Sequence, residues 1–349
     1  MADSEHSQPS SQVSMTTPAT AVVSTEVSQA AARYLKLGIE KSDNTVRAYK
    51  SDLDCYTRWC QAHHCPPFPA TPGQVVNYIS AIAGQYKVAT LERRLAMLSS
   101  FHELQNLESP TGSKLVRTAM DGIKREKGIR QTQAPAYNME KFRKVVLSLD
   151  EISNAGLRDK VIILLGFTGA FRRGELSAVN LADLHFDEDG LLIDIRKSKT
   201  DQLSEGKVKA IFFAADPRLC PVRTLRRYLE RVGVPSNSFM PLEDGFSSFN
   251  AKNEPTLSSR PLLVRMRRGD RLGRERLTDQ SVNLVVKKYF GVRFTAHSLR
   301  ASFVTISKKN GASDSEIMAQ TFHKTTAMIR RYTRFEDART HNAGTKLGL

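Results

Sequence analysis

The sequence predicts a mainly α-helical chain with a small antiparallel β-sheet, divided into two domains. Three observations lead there. Apolar residues recur at three- and four-residue spacing along most of the chain, alternate at a spacing of two only around residues 191–212, and lose periodicity over 128–137. A length of 349 residues suits two domains of ordinary size.

Residues 1–28 are rich in Ser, Thr, Ala and Gln, too poor in large apolar groups to offset ordering entropy, and read as a disordered tail. From there the pattern turns helical. Val46, Tyr49, Leu53, Tyr56 and Cys60 form one stripe behind a polar Ser42-Asp43-Asn44 start. Thr71-Pro72 reads as an N-cap followed by proline at the first helical position. Thr90, Leu91, Leu95, Leu98 and Phe101 mark a third helix, and a fourth covers about 113–127, so residues 29–127 form a helical domain. Residues 128–137, with Pro135, read as a linker.

Residues 138–349 form the second domain. Helical patterns cover about 139–149 and 157–169. Leu191, Ile193 and Ile195 then alternate with polar residues after Asp189-Gly190, and Val208, Ala210 and Phe212 alternate after Glu205-Gly206, as two strands would. Helices resume near 221–231, 279–290, 297–309, 313–321 and 325–333. The stretch 235–277 has no regular pattern, although it carries Arg265, Arg267, Arg268, Arg271, Arg274 and Arg276.

Lys and Arg number 52 against 36 Asp and Glu, a formal charge of +16, which points to a polyanionic partner. The first 28 residues carry three acidic and no basic side chains, so the excess belongs to the two domains. No apolar run approaches the roughly 18 residues of a membrane span, and no signal-peptide pattern opens the chain, so a soluble intracellular protein is expected. Cys55, Cys60 and Cys65 crowd near His63 and His64, but Cys60 falls in an apolar helical stripe, and core packing accounts for it better than zinc.

Four segments of the second domain carry chemistry. They are Arg172-Arg173-Gly174-Glu175 after Gly169, Lys197-Ser198-Lys199 at a strand end, His297-Ser298-Leu299-Arg300, and His323 nine residues before Tyr332. Each alone is unremarkable: an Arg-x-x-Glu is commonly a surface pair, and a lone histidine commonly packs or caps. In this order and spacing, the set Arg172, Lys199, His297, Arg300, His323 and Tyr332 resembles the catalytic residues of the tyrosine recombinases, the phage integrase family that includes Cre, lambda integrase and the Xer proteins. That resemblance covers nearly the whole ordered chain.

The resemblance implies a two-domain DNA clamp: a helical core-binding domain and an α+β catalytic domain with a C-terminal docking tail. It implies a site-specific recombinase that cleaves and rejoins duplex DNA through a 3′-phosphotyrosyl intermediate and a Holliday junction. Tyr332 would be the nucleophile, conserving bond energy for rejoining without ATP. Arg172 and Arg300 would grip the non-bridging oxygens, since guanidinium stays charged and binds two oxygens at once. His297, one helical turn from Arg300, would exchange protons there, His323 would donate to the phosphate, and Glu175 would support the arginines. No cofactor, metal or small-molecule substrate is implied. The expected partner is double-stranded DNA with inverted-repeat half-sites, bound by a homotetramer across two sites, in a cytoplasmic, nucleoid-associated bacterial setting.

Two other classes use this fold or chemistry. A type IB topoisomerase would act as a monomer, and the helical N-terminal domain argues against it; a non-catalytic DNA-binding protein would not need Tyr332 or Lys199. The resemblance makes Lys199 the general acid that protonates the leaving 5′-oxygen; Lys197 competes for that role, and the family's spacing favours Lys199. Lys199→Ala should slow cleavage by roughly 10²–10⁴-fold. A 5′-bridging phosphorothiolate, whose leaving group needs little protonation, should restore most of that loss, whereas Arg172→Ala should stay slow on both substrates. Equal defects of Lys199→Ala on the two substrates would rule out the acid role, and restoration of Lys197→Ala instead would transfer it to that lysine.

Overall fold

A computed structural model describes residues 43–128, 135–196, 206–234, 239–241, 247–249, 259–330 and 332. The expected tail 1–28, most of the expected linker, Lys197, Lys199 and the segment 333–349 lie outside the described residues. The chain divides into two compact units, Met1–Gln131 and Thr132–Leu349.

Among the described residues, the first unit holds four α-helices, α1 (Asp43–Ala62), α2 (Pro72–Ala83), α3 (Val88–Leu104) and α4 (Lys114–Lys127). Their starts follow from the caps: the Thr71 hydroxyl accepts from Gln74 N–H ahead of Pro72, and the Ser113 hydroxyl from Val116 N–H. Tyr56, Cys60, Tyr78, Ile79, Leu91, Met97 and Leu98 close the core. Cys60 is fully buried and takes the Gln74 amide at 3.4 Å, a packing role, and all four cysteines are free thiols. Val46 is exposed, so the apolar stripe of α1 starts one turn later than its sequence suggests. Buried Asp52 accepts two bonds from Arg93, at 2.8 and 2.9 Å, and one from Arg94 at 3.4 Å, so its charge is compensated.

The second unit is built around α6 (Asn154–Thr168), which is buried without a break from Gly156 to Phe167. Preceding it is α5 (Met139–Leu147), and after it come α7 (Arg173–Ala178), α8 (Pro221–Arg231), α9 (Asp279–Phe290), α10 (Ala296–Lys309) and α11 (Asp314–Thr321), then a short helical stretch at 326–330. Helices α8, α9 and α10 pack on α6. Gly166 permits the α10 approach: a Cβ there would stand 2.8 Å from Leu299 Cδ1.

Five antiparallel strands form one sheet in the order β3-β2-β1-β5-β4, with β1 Leu184–Phe186, β2 Gly190–Ile195, β3 Lys207–Phe212, β4 Phe239–Pro241 and β5 Ser247–Phe249. The inward face of β3 differs from the alternation read in the sequence. Val208 and Phe212 are exposed, while Lys209 and Ile211 are buried. The register explains this: Leu191 lies opposite Ile211 and Ile193 opposite Lys209, and directly opposed residues share a face. The inward set of β2 therefore dictates the inward set of β3, and a lysine falls within it.

The stretch 235–277 also gains structure. Besides β4 and β5 it forms the hairpin β6 (Val264–Arg267) and β7 (Arg271–Arg276). Its arginines divide in role: Arg276 donates to Ser177 O at 2.8 Å and Asn180 Oδ1 at 2.6 Å, and Arg267 pairs with Glu275, whereas Arg265, Arg268, Arg271 and Arg274 are exposed. Gly269 and Asp270 both take positive φ, as a tight hairpin connection requires. Asp270 accepts from Asn154 N–H at 2.8 Å and Ala155 N–H at 2.9 Å, latching the hairpin to the start of α6. No described helix is long and apolar enough to cross a membrane. Asp270→Ala should cost about 1 kcal/mol, the usual worth of a helix cap, read as a lower urea midpoint, with Arg268→Ala as a near-neutral control.

Candidate active site

Helix α6 ends at Gly169, whose Cβ would meet the Phe171 ring at 2.2 Å, so only glycine fits the exit. Ala170 follows with φ +46°, in the left-handed region, and its carbonyl faces Arg300. Arg172 is the N-cap residue of α7. Its backbone N–H donates to Glu175 Oε2 at 3.0 Å and its guanidinium to Oε1 at 2.5 Å. Neighbouring Arg173 is exposed and pairs with Asp279 at 3.0 Å, so Arg172 is the member of the pair held by Glu175.

Thr295 caps α10, which carries His297 and Arg300 one turn apart. Arg300 is 1% exposed, and its guanidinium donates to the Ala170 carbonyl at 2.6 Å and to the Thr321 carbonyl. Burial, with Arg172 adding to it and Glu175 opposing, pulls its pKa down to about 10, so it stays cationic at neutral pH. Two of its five N–H donors are used by these carbonyls.

Beyond α11, Phe322 takes φ +55° and turns the chain so that His323 is buried next to Thr321. Thr321 Oγ1 donates to Ile317 O at 2.6 Å and lies 3.0 Å from His323 Nδ1, which therefore acts as the donor of that second bond. The His323 ring stacks on Tyr332 at 5.7 Å and 25°, and the Tyr332 hydroxyl lies 2.9 Å from His297 Nε2. Desolvation, then the charges of Arg300 and Arg172, lowers the pKa of both histidines, that of His323 to about 3. Both imidazoles are neutral at pH 7, and a neutral His297 can accept the phenol proton at Nε2.

The structure thus gathers Arg172, Glu175, His297, Arg300, His323 and Tyr332, while Lys199 lies outside the described residues. A phenol beside a neutral imidazole, with two arginines nearby, can deliver an oxygen nucleophile to a phosphodiester and hold the charge that develops there. Among the described residues, no cluster of three His, Cys, Asp or Glu side chains is placed to hold a metal ion.

The family model for the phage integrase family matches residues 140–339, and that for the phage integrase N-terminal SAM-like domain matches residues 32–107. The chain belongs to the phage integrase family. This tyrosine recombinase is 34% identical over 306 residues to an integrase/recombinase XerD homolog of Selenomonas ruminantium, covering 85% of this chain and 83% of that one. It is 25% identical over 325 residues to the tyrosine recombinase XerC of Syntrophus aciditrophicus, covering 86% and 90%. Two solved structures share the fold. The Tn1549 transposon integrase in complex with transposon right-end DNA matches with a TM-score of 0.55 at 14% identity, covering 89% of this chain and 96% of that one. A lambda integrase dimer bound to a core site matches at 0.53 and 15%, covering 86% and 93%.

Sequence reasoning missed Lys209 of the recombinase, which is fully buried and feels the charges of Glu175, Arg300 and Arg172. Its place on the inward face follows from the register opposite Ile193, which the sequence alone does not display.

The histidine shifts make acid stability testable. The folded pKa of His323 lies below its unfolded value of about 6.5, so between pH 6.5 and 3 the unfolded chain holds a proton that the folded one excludes. Stability contributed by neutral His323 is present above pH 6.5 and is lost on acidification, by about 2 kcal/mol at pH 5. His323→Gln should flatten the change in urea midpoint between pH 7 and pH 5, and an undiminished slope would contradict the burial argument.

Proposed function

We propose that the recombinase cleaves and rejoins DNA strands by attack of Tyr332 Oη on the scissile phosphorus. The phenol proton passes to His297 Nε2, and the 5′-oxygen leaves with a proton from Lys199, giving a 3′-phosphotyrosyl bond and a free 5′-hydroxyl. Attack by a 5′-hydroxyl reverses the step, with no net loss of high-energy bonds. The observation that supports this reading is the 2.9 Å contact between the Tyr332 hydroxyl and His297 Nε2, a distance at which a phenol proton can pass to an imidazole.

Arg172 and Arg300 balance charge on the non-bridging oxygens as the phosphorus becomes five-coordinate. His323, whose Nδ1 is engaged by Thr321, can donate to phosphate from Nε2 only as imidazolium, and an arriving phosphate anion favours that form. Double-stranded DNA is the substrate class, consistent with a charge of +16. On the same reading, the chain acts as a homotetramer on two inverted-repeat sites, the first unit and the catalytic unit gripping the duplex and the segment after Tyr332 docking on a neighbouring protomer.

Selection of bound duplexes from a random library, followed by footprinting, should return two inverted half-sites around a short spacer. On a nicked suicide version of that duplex, the wild-type chain should form a covalent adduct in EDTA without nucleotide, and Tyr332→Phe should bind with similar affinity but form none. Adduct formation by the Phe variant would remove Tyr332 from the mechanism, and dependence on added magnesium would overturn the all-side-chain account of charge stabilisation.

A further inference from the structure

Helix α11 ends with its carbonyls held by cations from two other elements. The Gln320 and Thr321 carbonyls lie in the last turn, where no helical N–H can reach them. Thr321 O is taken by Arg300, and Gln320 O by the ammonium of Lys209 on β3. The seam is doubled, because the Gln320 side-chain amide donates back to Ala210 O on β3 at 2.8 Å and to Thr168 O at the end of α6 at 3.1 Å. Lys209 also lies over two aromatic rings, Phe322 at 4.3 Å and Phe171 at 5.1 Å, whose next residues in the chain are His323 and Arg172. The ammonium therefore sits between the two segments that deliver catalytic groups, without reaching the surface itself.

We propose that Lys209 is a positioning residue for strand cleavage: with Arg300 it caps the C-terminal carbonyls of α11 and so fixes the direction in which the chain leaves that helix toward His323 and Tyr332. This rests on the reading of Tyr332 as nucleophile. A buried lysine is an expensive way to fill space, and an apolar side chain of equal volume would leave Gln320 O without a donor. Its pKa is lowered to about 7, first by burial, then by Arg300 and Arg172 against the pull of Glu175. Either charge form of the amine can still donate to the carbonyl. The sequence places Lys199 between β2 and β3, so the strand carrying Lys209 also follows directly on the segment assigned to the general acid.

The test uses the full chain and the nicked suicide duplex, comparing wild type, Lys209→Met and Lys209→Arg for duplex affinity, thermal midpoint and single-turnover adduct formation. Lys209→Met should cut the adduct rate at least tenfold with affinity unchanged within twofold, and Lys209→Arg, which keeps a donor, should recover to within threefold of wild type. In a His323→Ala background the Met substitution should have a much smaller effect, because the lysine acts through that turn. Should the Met chain not fold, Lys209→Gln replaces it as the single variant whose effect must shrink in the His323→Ala background. An adduct rate within twofold of wild type, losses additive with His323→Ala, or affinity and thermal midpoint falling in step with cleavage would each overturn the assignment. If wild type forms no adduct, the Tyr332 reading falls and takes this one with it; if only the Lys209 variants match wild type, the Tyr332 reading stands alone.

Discussion

A guanidinium that stays charged at neutral pH is buried within the catalytic unit, 1% exposed, and the surrounding structure is arranged to hold it. Arg300 projects from α10, but its partners are backbone carbonyls from two other elements, Ala170 after α6 and Thr321 at the end of α11. Both turns contain a non-glycine residue in the left-handed region, Ala170 and Phe322, a conformation that costs about 1 kcal/mol or more each. The chain accepts that strain because leaving a buried cation unmatched would cost several times as much.

Electrostatics follow from the same arrangement. Among the described residues that act on one another here, Arg172, Lys209 and Arg300 stand against the carboxylate of Glu175, so the site is electropositive. That field, added to desolvation, favours the neutral forms of His297 and His323, and the base role proposed for His297 needs its neutral form. On the proposed mechanism, the scissile phosphate supplies the negative charge these cations call for, and it favours the imidazolium form of His323, so that the substrate itself drives the change.

Much of this was legible in the sequence, and the parts that were not share a cause. The helix start at Thr71-Pro72 could be read because capping is local chemistry, confined to three or four residues. The site segments drew notice through their order along the chain and their resemblance to the tyrosine recombinases, since each alone is unremarkable. The inward face of β3 was misread, since Val208 and Phe212 look apolar in isolation and only pairing with β2 decides which face is buried. The hairpin at 264–276 was missed because its strands are arginine-rich and lack alternation; it is held by Asp270 on α6 and by Arg276 on the α7 end, contacts over ninety residues apart in sequence.

Because Arg300 is held by carbonyls, the identity of the side chains at 170 and 321 is only loosely coupled to its grip. A map of substitutions around this site would accordingly separate two kinds of constraint: positions 169 and 170 are limited by the path of the main chain that presents the Ala170 carbonyl, and position 321 by the bonds its hydroxyl makes to Ile317 and His323, none of which is the grip on Arg300. The coordination of this arginine is thus written in the path of the main chain, while the side chains around it answer to other demands.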